Sequence, residues 1–200
     1  MELIIRIVAL VFSIIVHEVA HGYAAYQLGD PTARDAHRLT LNPLAHIDLM
    51  GSVLLPLILI LTKSPILMGW AKPVPFNPGC FRDVKKGIMI VGLAGPASNL
   101  ILAAIVGTII RIFPFGGIIG LFLLQICIIN VILAIFNLIP IPPLDGSRVA
   151  IGFLPSHLVS AYLSLERYGF LIIFGLLWLG VLDHILWPIA NWLLRLLLKV

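Results

Sequence analysis

Between Gly87 and Ile139 the chain carries a single charged side chain, Arg111. A run of that length has no polar face to turn towards water, and it is longer than one buried core helix requires. It reads as two membrane-spanning helices, Gly87–Phe113 and Gly117–Ile139, each meeting the roughly 20 residues that an apolar bilayer core demands. Elsewhere the chain agrees with that reading. Of 200 residues, 60% are hydrophobic and 11% charged, where a soluble domain carries about 25% charged residues.

A first apolar block runs from about Leu3 to Leu28 and stops at Gly29-Asp30-Pro31, a helix-ending signal. It resembles a signal peptide only superficially, because its flank is barely basic and cleavage would discard the polar group it carries. We expect a retained helix. Ser52–Leu61 is apolar but short for a span and holds Pro56, which suggests a re-entrant or interfacial segment near 51–66. The last block, Tyr168–Leu198, is too long for one span and is interrupted by Asp183, His184 and Pro188. It suits either a hairpin of two short helices or one span plus an interfacial helix with Trp187 and Trp192. The expected fold is therefore an all-α polytopic membrane protein with about 4–6 transmembrane helices. The formal net charge of +4 does not point to nucleic acid, since Lys and Arg collect on the cytoplasmic side of membrane proteins. Cys80 and Cys127 have no metal-ligand spacing, and a disulfide between a loop and a mid-span position is not expected.

The strongest local signal is His17-Glu18-Val19-Ala20-His21. On a helix, positions i and i+4 share a face, so both imidazoles can reach one metal ion. Glu18 lies one residue round, where it can take a proton from water on that ion. The context sharpens the motif, because it follows an apolar run and sits at membrane depth. An ionisable side chain there costs about 2.5–3.5 kcal/mol on the gentler insertion scale. Three in five residues need a partner, and a bound cation is one.

A catalytic zinc takes three protein ligands and keeps one position open. Among the remaining carboxylates, Asp30, Asp35, Asp48 and Asp83 lie in polar loops, and Glu166 and Asp183 flank or interrupt the last block. Asp145 stands apart. It follows directly on the Gly117–Ile139 span in a stretch that Pro140, Pro142 and Pro143 keep from being helical, and irregular chain at membrane depth survives only where it is buried or lines a cavity. Taken alone, Leu144-Asp145-Gly146 also fits a turn at the bilayer surface.

The first motif together with Asn137-Leu138-Ile139-Pro140-Ile141-Pro142-Pro143-Leu144-Asp145-Gly146 resembles the paired motifs of the site-2 protease family of intramembrane metalloproteases, peptidase family M50. Gly22-Tyr23, Leu28 to Ala33, Arg38 to Pro43, His46-Ile47-Asp48, Lys72 to Val74 with Pro75, and Gly95-Pro96-Ala97-Ser98-Asn99 are similar to short bacterial-type members without a PDZ domain. The resemblance covers most of residues 1–170. It departs at His37, where family members often have Gly, and at Leu49, where they often have Pro. It implies one Zn2+ held by His17, His21 and Asp145, Glu18 as catalytic base, and Asn137 holding substrate. It also implies one membrane-embedded peptidase domain over 1–200, with a catalytic core about 3–148 and a C-terminal helical segment 168–198. The implied activity is hydrolysis of peptide bonds in or near transmembrane segments of membrane-anchored proteins, single-span regulators such as anti-sigma or pro-sigma factors among them.

The metal reading makes a topological demand. For late residues of the first helix to meet Asp145, that helix and Gly117–Ile139 must run parallel, so Ser52–Leu61 must not cross. Charge agrees, for that topology puts Arg34, Arg38, Lys63, Lys72, Arg82, Lys85, Lys86, Arg148 and Arg167 on one side. By the positive-inside rule this side is cytoplasmic, with the zinc nearer that face of a bacterial cytoplasmic membrane. Three other readings fit less well. A metal transporter would show more polar residues along its spans than Ser98, Asn99, Gln125, Asn130 and Asn137. An inactive relative would have lost a ligand or the base. A protease with a downstream Glu ligand offers only Glu166, a helix-end charge. His46 with Asp48 reads as a loop hydrogen-bond pair, and Asp183 with His184 as a helix end.

Overall fold

From Leu3 to His21 no proline or glycine interrupts the chain, and the first helix, α1, occupies Glu2–Gln27. Gly29 ends it with a φ of 98°, a left-handed conformation that glycine adopts without steric cost. Just beyond, the carboxylate of Asp30 accepts the backbone N–H of Thr32 at 3.0 Å and fixes the turn into the short helix α2, Thr32–Asp35. The computed structural model describes residues 1–54, 57–58, 61–62, 71–113 and 115–199.

Helix α3, Val84–Ile112, starts at Asp83, whose side chain caps the N–H of Lys86 at 3.0 Å. Helix α4 is Gly117–Asn137. A proline-bearing turn then leads to α5, Asp145–Phe153, followed by α6, Ser156–Leu163, α7, Glu166–Trp178, and α8, Val181–Leu198. No strand occurs among the described residues.

Specific contacts fix how these helices run. Ser13 and His17 meet Asn99, and His21 meets Val91, so α1 and α3 are antiparallel. Asn99 meets Asn130 while Ala103 meets Cys127, so α3 and α4 are antiparallel too. Helices α1 and α4 are therefore parallel, the arrangement that the metal reading demanded. Ala9, Ala103, Val106, Ile126, Cys127, Val131 and Ala190 form the core where α1, α3, α4 and α8 meet. Most of these side chains are small, which lets backbones approach closely, as membrane helices do. Outward-facing side chains such as Leu3, Ile101, Ile105, Ile118 and Ile119 are large, apolar and exposed. In lipid that surface carries no penalty, whereas in water it would.

Among the described residues four helices, α1, α3, α4 and α8, are long and apolar enough to cross a membrane, and α6 with α7, bent by 67°, make a fifth candidate if the pair is one span. This is an all-α polytopic membrane protein, as expected. Of the segment expected near 51–66, residues 55–56, 59–60 and 63–66 lie outside the described residues; Leu49–Leu54 forms a single π-helical stretch. One expectation needs correction. The break in the last block is not at Asp183, His184 and Pro188 but at Gly180, with φ 69°. Asp183 occupies the first turn of α8, where a carboxylate complements the helix dipole, and Pro188 lies inside that helix. Glycine in the left-handed conformation is the stronger stop signal.

Candidate metal centre

His17 and His21 lie one turn apart on the buried face of α1, and both are buried. Asp145 comes to them from the first residue of α5. The turn before it is shaped by its prolines, and Gly146 is required behind it, because a Cβ there would stand 2.2 Å from the Leu138 carbonyl oxygen. His17 Nε2 lies 3.0 Å from Asp145 Oδ2, His21 Nε2 lies 3.1 Å from the same oxygen, and the two Nε2 atoms are 3.0 Å apart. Among the described residues this is the only group of three or more His, Cys, Asp or Glu able to hold one metal ion.

The outer side of each ring decides what the inner side offers. His17 Nδ1 donates to Asn99 Oδ1 at 2.6 Å, and His21 Nδ1 donates to the Val91 carbonyl at 2.6 Å. With the protons on Nδ1, both Nε2 atoms present lone pairs to each other and to a carboxylate oxygen. Three acceptors at that separation repel unless a positive charge lies among them. A tetrahedral zinc with ligands at about 2.0–2.1 Å sets its ligand atoms roughly 3.3 Å apart, so the set fits that ion closely. Asp145 would complete the set with a carboxylate oxygen, Oδ2.

Asp145 has an outer partner as well. Its Oδ1 accepts from Arg148 Nη1 at 2.9 Å, which leaves Oδ2 for the histidines. The Arg148 guanidinium also lies over the Phe76 ring, 5.3 Å from its centroid. Gly95 of α3 faces the two imidazoles so closely that a Cβ would stand 2.4 Å from His21 Nε2.

Glu18 is half-buried and outside this cluster, with Oε2 accepting the N–H of Val74 at 2.9 Å. The Lys72–Pro75 segment is thus laid beside the histidine motif. Asn137 ends α4 and donates back to the Leu133 carbonyl at 3.0 Å, with no hydrogen bond to the cluster. Glu166 is exposed at the start of α7. His46 does not pair with Asp48: its Nε2 bonds the Thr40 carbonyl at 2.8 Å and its Nδ1 has no partner. Neither Asn99, Val91, Val74 nor Arg148 was singled out for this role by sequence. The available signal was Asn99 itself, an amide in an apolar span, which must find a partner.

The model of peptidase family M50 matches residues 114–179, which include Asn137 and Asp145. YwhC of Bacillus subtilis, provisionally named a zinc metalloprotease, is 36% identical over 195 residues, covering 92% of this chain and 85% of its own. The chain belongs to peptidase family M50. Rip2 of Mycolicibacterium smegmatis, with the same provisional description, is 29% identical and covers 94% of this chain and 72% of its own. The zinc metalloprotease MJ0392 of Methanocaldococcus jannaschii is 23% identical over 88% of this chain and 44% of its own. No solved structure matches. With its apolar helices, this M50 peptidase is an integral membrane hydrolase of peptide bonds.

Proposed function

We propose that the chain is an intramembrane zinc endopeptidase that cuts membrane-anchored proteins in or near their transmembrane segments. The observation that carries the reading is the convergence of His17 Nε2, His21 Nε2 and Asp145 Oδ2 within 3.1 Å of one another, between helices apolar enough to span a bilayer. Those three atoms would hold the ion, as the zinc in the relatives' names suggests. When bound, zinc supplies Lewis acidity, which polarises a peptide carbonyl and makes water a stronger acid.

Glu18 is the general base. Val74 N–H holds its Oε2, which leaves Oε1 to take a proton from the attacking water. As the water oxygen bonds the carbonyl carbon and the C–N bond breaks, Glu18 returns that proton to the leaving nitrogen. A substrate helix hides its carbonyls in hydrogen bonds and must unwind locally first. Asn137, whose Oδ1 is not used in holding α4, pairs with the freed strand. The excess of Lys and Arg flanking this end of the bundle supports a site nearer the cytoplasmic face of a bacterial membrane. Single-span regulators of the anti-sigma or pro-sigma kind are the substrate class that family resemblance favours.

The test is zinc content of the purified protein beside cleavage of a single-span reporter, for wild type, Asp145→Ala and Glu18→Gln. Near-stoichiometric zinc in wild type and Glu18→Gln, with sharp loss in Asp145→Ala and cleavage by wild type alone, is expected. Cleavage by Glu18→Gln would overturn the assignment of the base.

A further inference from the structure

Behind the His17 ring lies a chain of polar groups that the hydrolytic steps do not use. Ser13, Asn99 and Asn130 are fully buried, each 0% exposed, in three different spans. Such residues are expensive inside apolar helices unless each polar atom is satisfied. Here every one is. Asn99 Nδ2 contacts Asn130 Oδ1 at 2.6 Å and the Ser13 carbonyl at 3.3 Å. Asn130 Nδ2 contacts Ser13 Oγ at 2.7 Å and the Ile126 carbonyl at 2.8 Å. Ser13 Oγ contacts the Ala9 carbonyl at 2.7 Å.

The donor and acceptor inventory allows only one direction along this chain. A carbonyl only accepts, so the Ser13 hydroxyl spends its single proton on Ala9 and must accept from Asn130. Turning the Asn130 amide over would set its oxygen against the Ile126 carbonyl. Turning Asn99 over would set its oxygen against both Asn130 Oδ1 and the Ser13 carbonyl. Both amides are thereby locked, and Asn99 can offer His17 nothing but an acceptor. Nδ1 must therefore carry a proton, and in the neutral ring Nε2 is then the lone pair.

We propose that Asn99, oriented by Asn130 and Ser13, is the positioning residue that locks His17 in its metal-binding tautomer, so that metal affinity is set partly by two residues remote from the ion. The proposal rests on the reading of His17 as a zinc ligand. His21 has a backbone carbonyl for the same purpose, which no side-chain substitution can remove, so His17 is the ligand that mutation can unlock. Outer partners of metal-binding histidines change affinity by about 10- to 100-fold.

The experiment compares wild type, Asn99→Leu, Asn99→Asp and Asn130→Leu in detergent, by chelator competition for zinc and by 15N spectra of histidine-labelled, metal-free protein. The His17 signals are assigned from their loss in His17→Gln. Wild type is expected to show His17 protonated at Nδ1. Asn99→Leu, which keeps size but offers no acceptor, should bind zinc about 10- to 100-fold more weakly and shift His17 towards the Nε2–H form. Asn130→Leu should weaken zinc by less, because Asn99 keeps its oxygen. Asn99→Asp keeps an acceptor for His17 Nδ1 but sets its second oxygen against Asn130 Oδ1 and the Ser13 carbonyl. Its melting temperature should therefore fall, while His17 stays protonated at Nδ1 and zinc is held as tightly as in wild type, or tighter. If Asn99→Leu does not fold, Asn99→Asp decides alone, and weakened zinc there overturns the proposal. An unchanged tautomer and unchanged affinity in a folded Asn99→Leu overturn it too. A wild type that binds no zinc at all would instead sink the metal reading on which it stands.

Discussion

Gly95→Ala sets helix propensity against the metal centre, and the two predict opposite signs. In an ordinary helix interior, alanine in place of glycine stabilises by about 0.8–1 kcal/mol. At position 95 the new Cβ would lie 2.4 Å from His21 Nε2 and 2.6 Å from Cε1 of both His17 and His21. Ordinary van der Waals contact begins at 3.4 Å, so the rings or the helix must give by about 1 Å. The rings cannot move that far and keep their 2.6 Å bonds from Nδ1 to Asn99 and Val91. Loss of such outer partners costs about 10- to 100-fold in metal affinity, which is about 1.4–2.7 kcal/mol. Geometry also predicts a catalytic loss of about 100-fold for a misplacement of 1 Å. The assay is zinc affinity by chelator competition, followed by melting temperature with and without zinc. The expected result is weaker zinc and a smaller zinc-induced rise in melting temperature. A Gly95→Ala protein more stable than wild type, with unchanged zinc affinity, would refute the packing argument.

Two further perturbations follow from the region after α1. His37 has a φ of 54° and an exposed side chain, so His37→Gly relieves left-handed strain of about 1–2 kcal/mol and returns part of it as unfolded-chain entropy. A rise in melting temperature is expected, and a fall would show that the imidazole contributes something else. The Asp30 carboxyl is pushed up by burial, yet the N–H and hydroxyl of Thr32 and the N–H of Asn77 hold it below its usual value. Its folded pKa is lower than its unfolded one, so its contribution is complete above about pH 4 and is lost as pH falls through the folded value. Asp30→Asn places an amide donor against the Asn77 N–H, and should cost about 1.5–3 kcal/mol at neutral pH and flatten the acid limb of stability. An acid limb as steep as that of wild type would exclude Asp30 as its source.

What could be read from sequence follows from what side chains announce. His17 and His21 are legible because the helical period converts a spacing of four into a shared face. Asp145 stands out as a carboxylate among prolines directly after an apolar span, a setting that also fits a surface turn, and the family resemblance is what implied its place as third ligand. Parallel α1 and α4 followed from requiring these groups to meet. The contact between Glu18 and Val74 was not legible, since it uses a backbone N–H that nearly every residue has, 56 positions away. The break at Gly180 was misplaced because Asp183 and Pro188 are polar or helix-breaking in isolation but tolerable within α8. His37 was visible only as a departure from family pattern, and its φ supplies the reason that glycine is common there.

Helix α3 makes the same distinction within the site. It contributes none of the three proposed ligands, yet it constrains all of them. Val91 bonds His21, Gly95 makes room for both imidazoles, and Asn99 bonds His17. These positions are i, i+4 and i+8, a single stripe down one face. Gly92, one residue round, lies against Arg148 and the Asp145 carbonyl, so the stripe's edge reaches the third proposed ligand and its outer partner. One carbonyl, one missing Cβ, one amide and another missing Cβ carry no signature of metal chemistry. Two glycines also permit the close approach without which α1 and α5 would stand too far apart for a single ion. A search for reactive side chains finds the candidate ligands and passes over the helix that brings them together. Substitutions along that stripe should therefore act on metal affinity more than on core stability, the reverse of what their place inside a membrane span suggests.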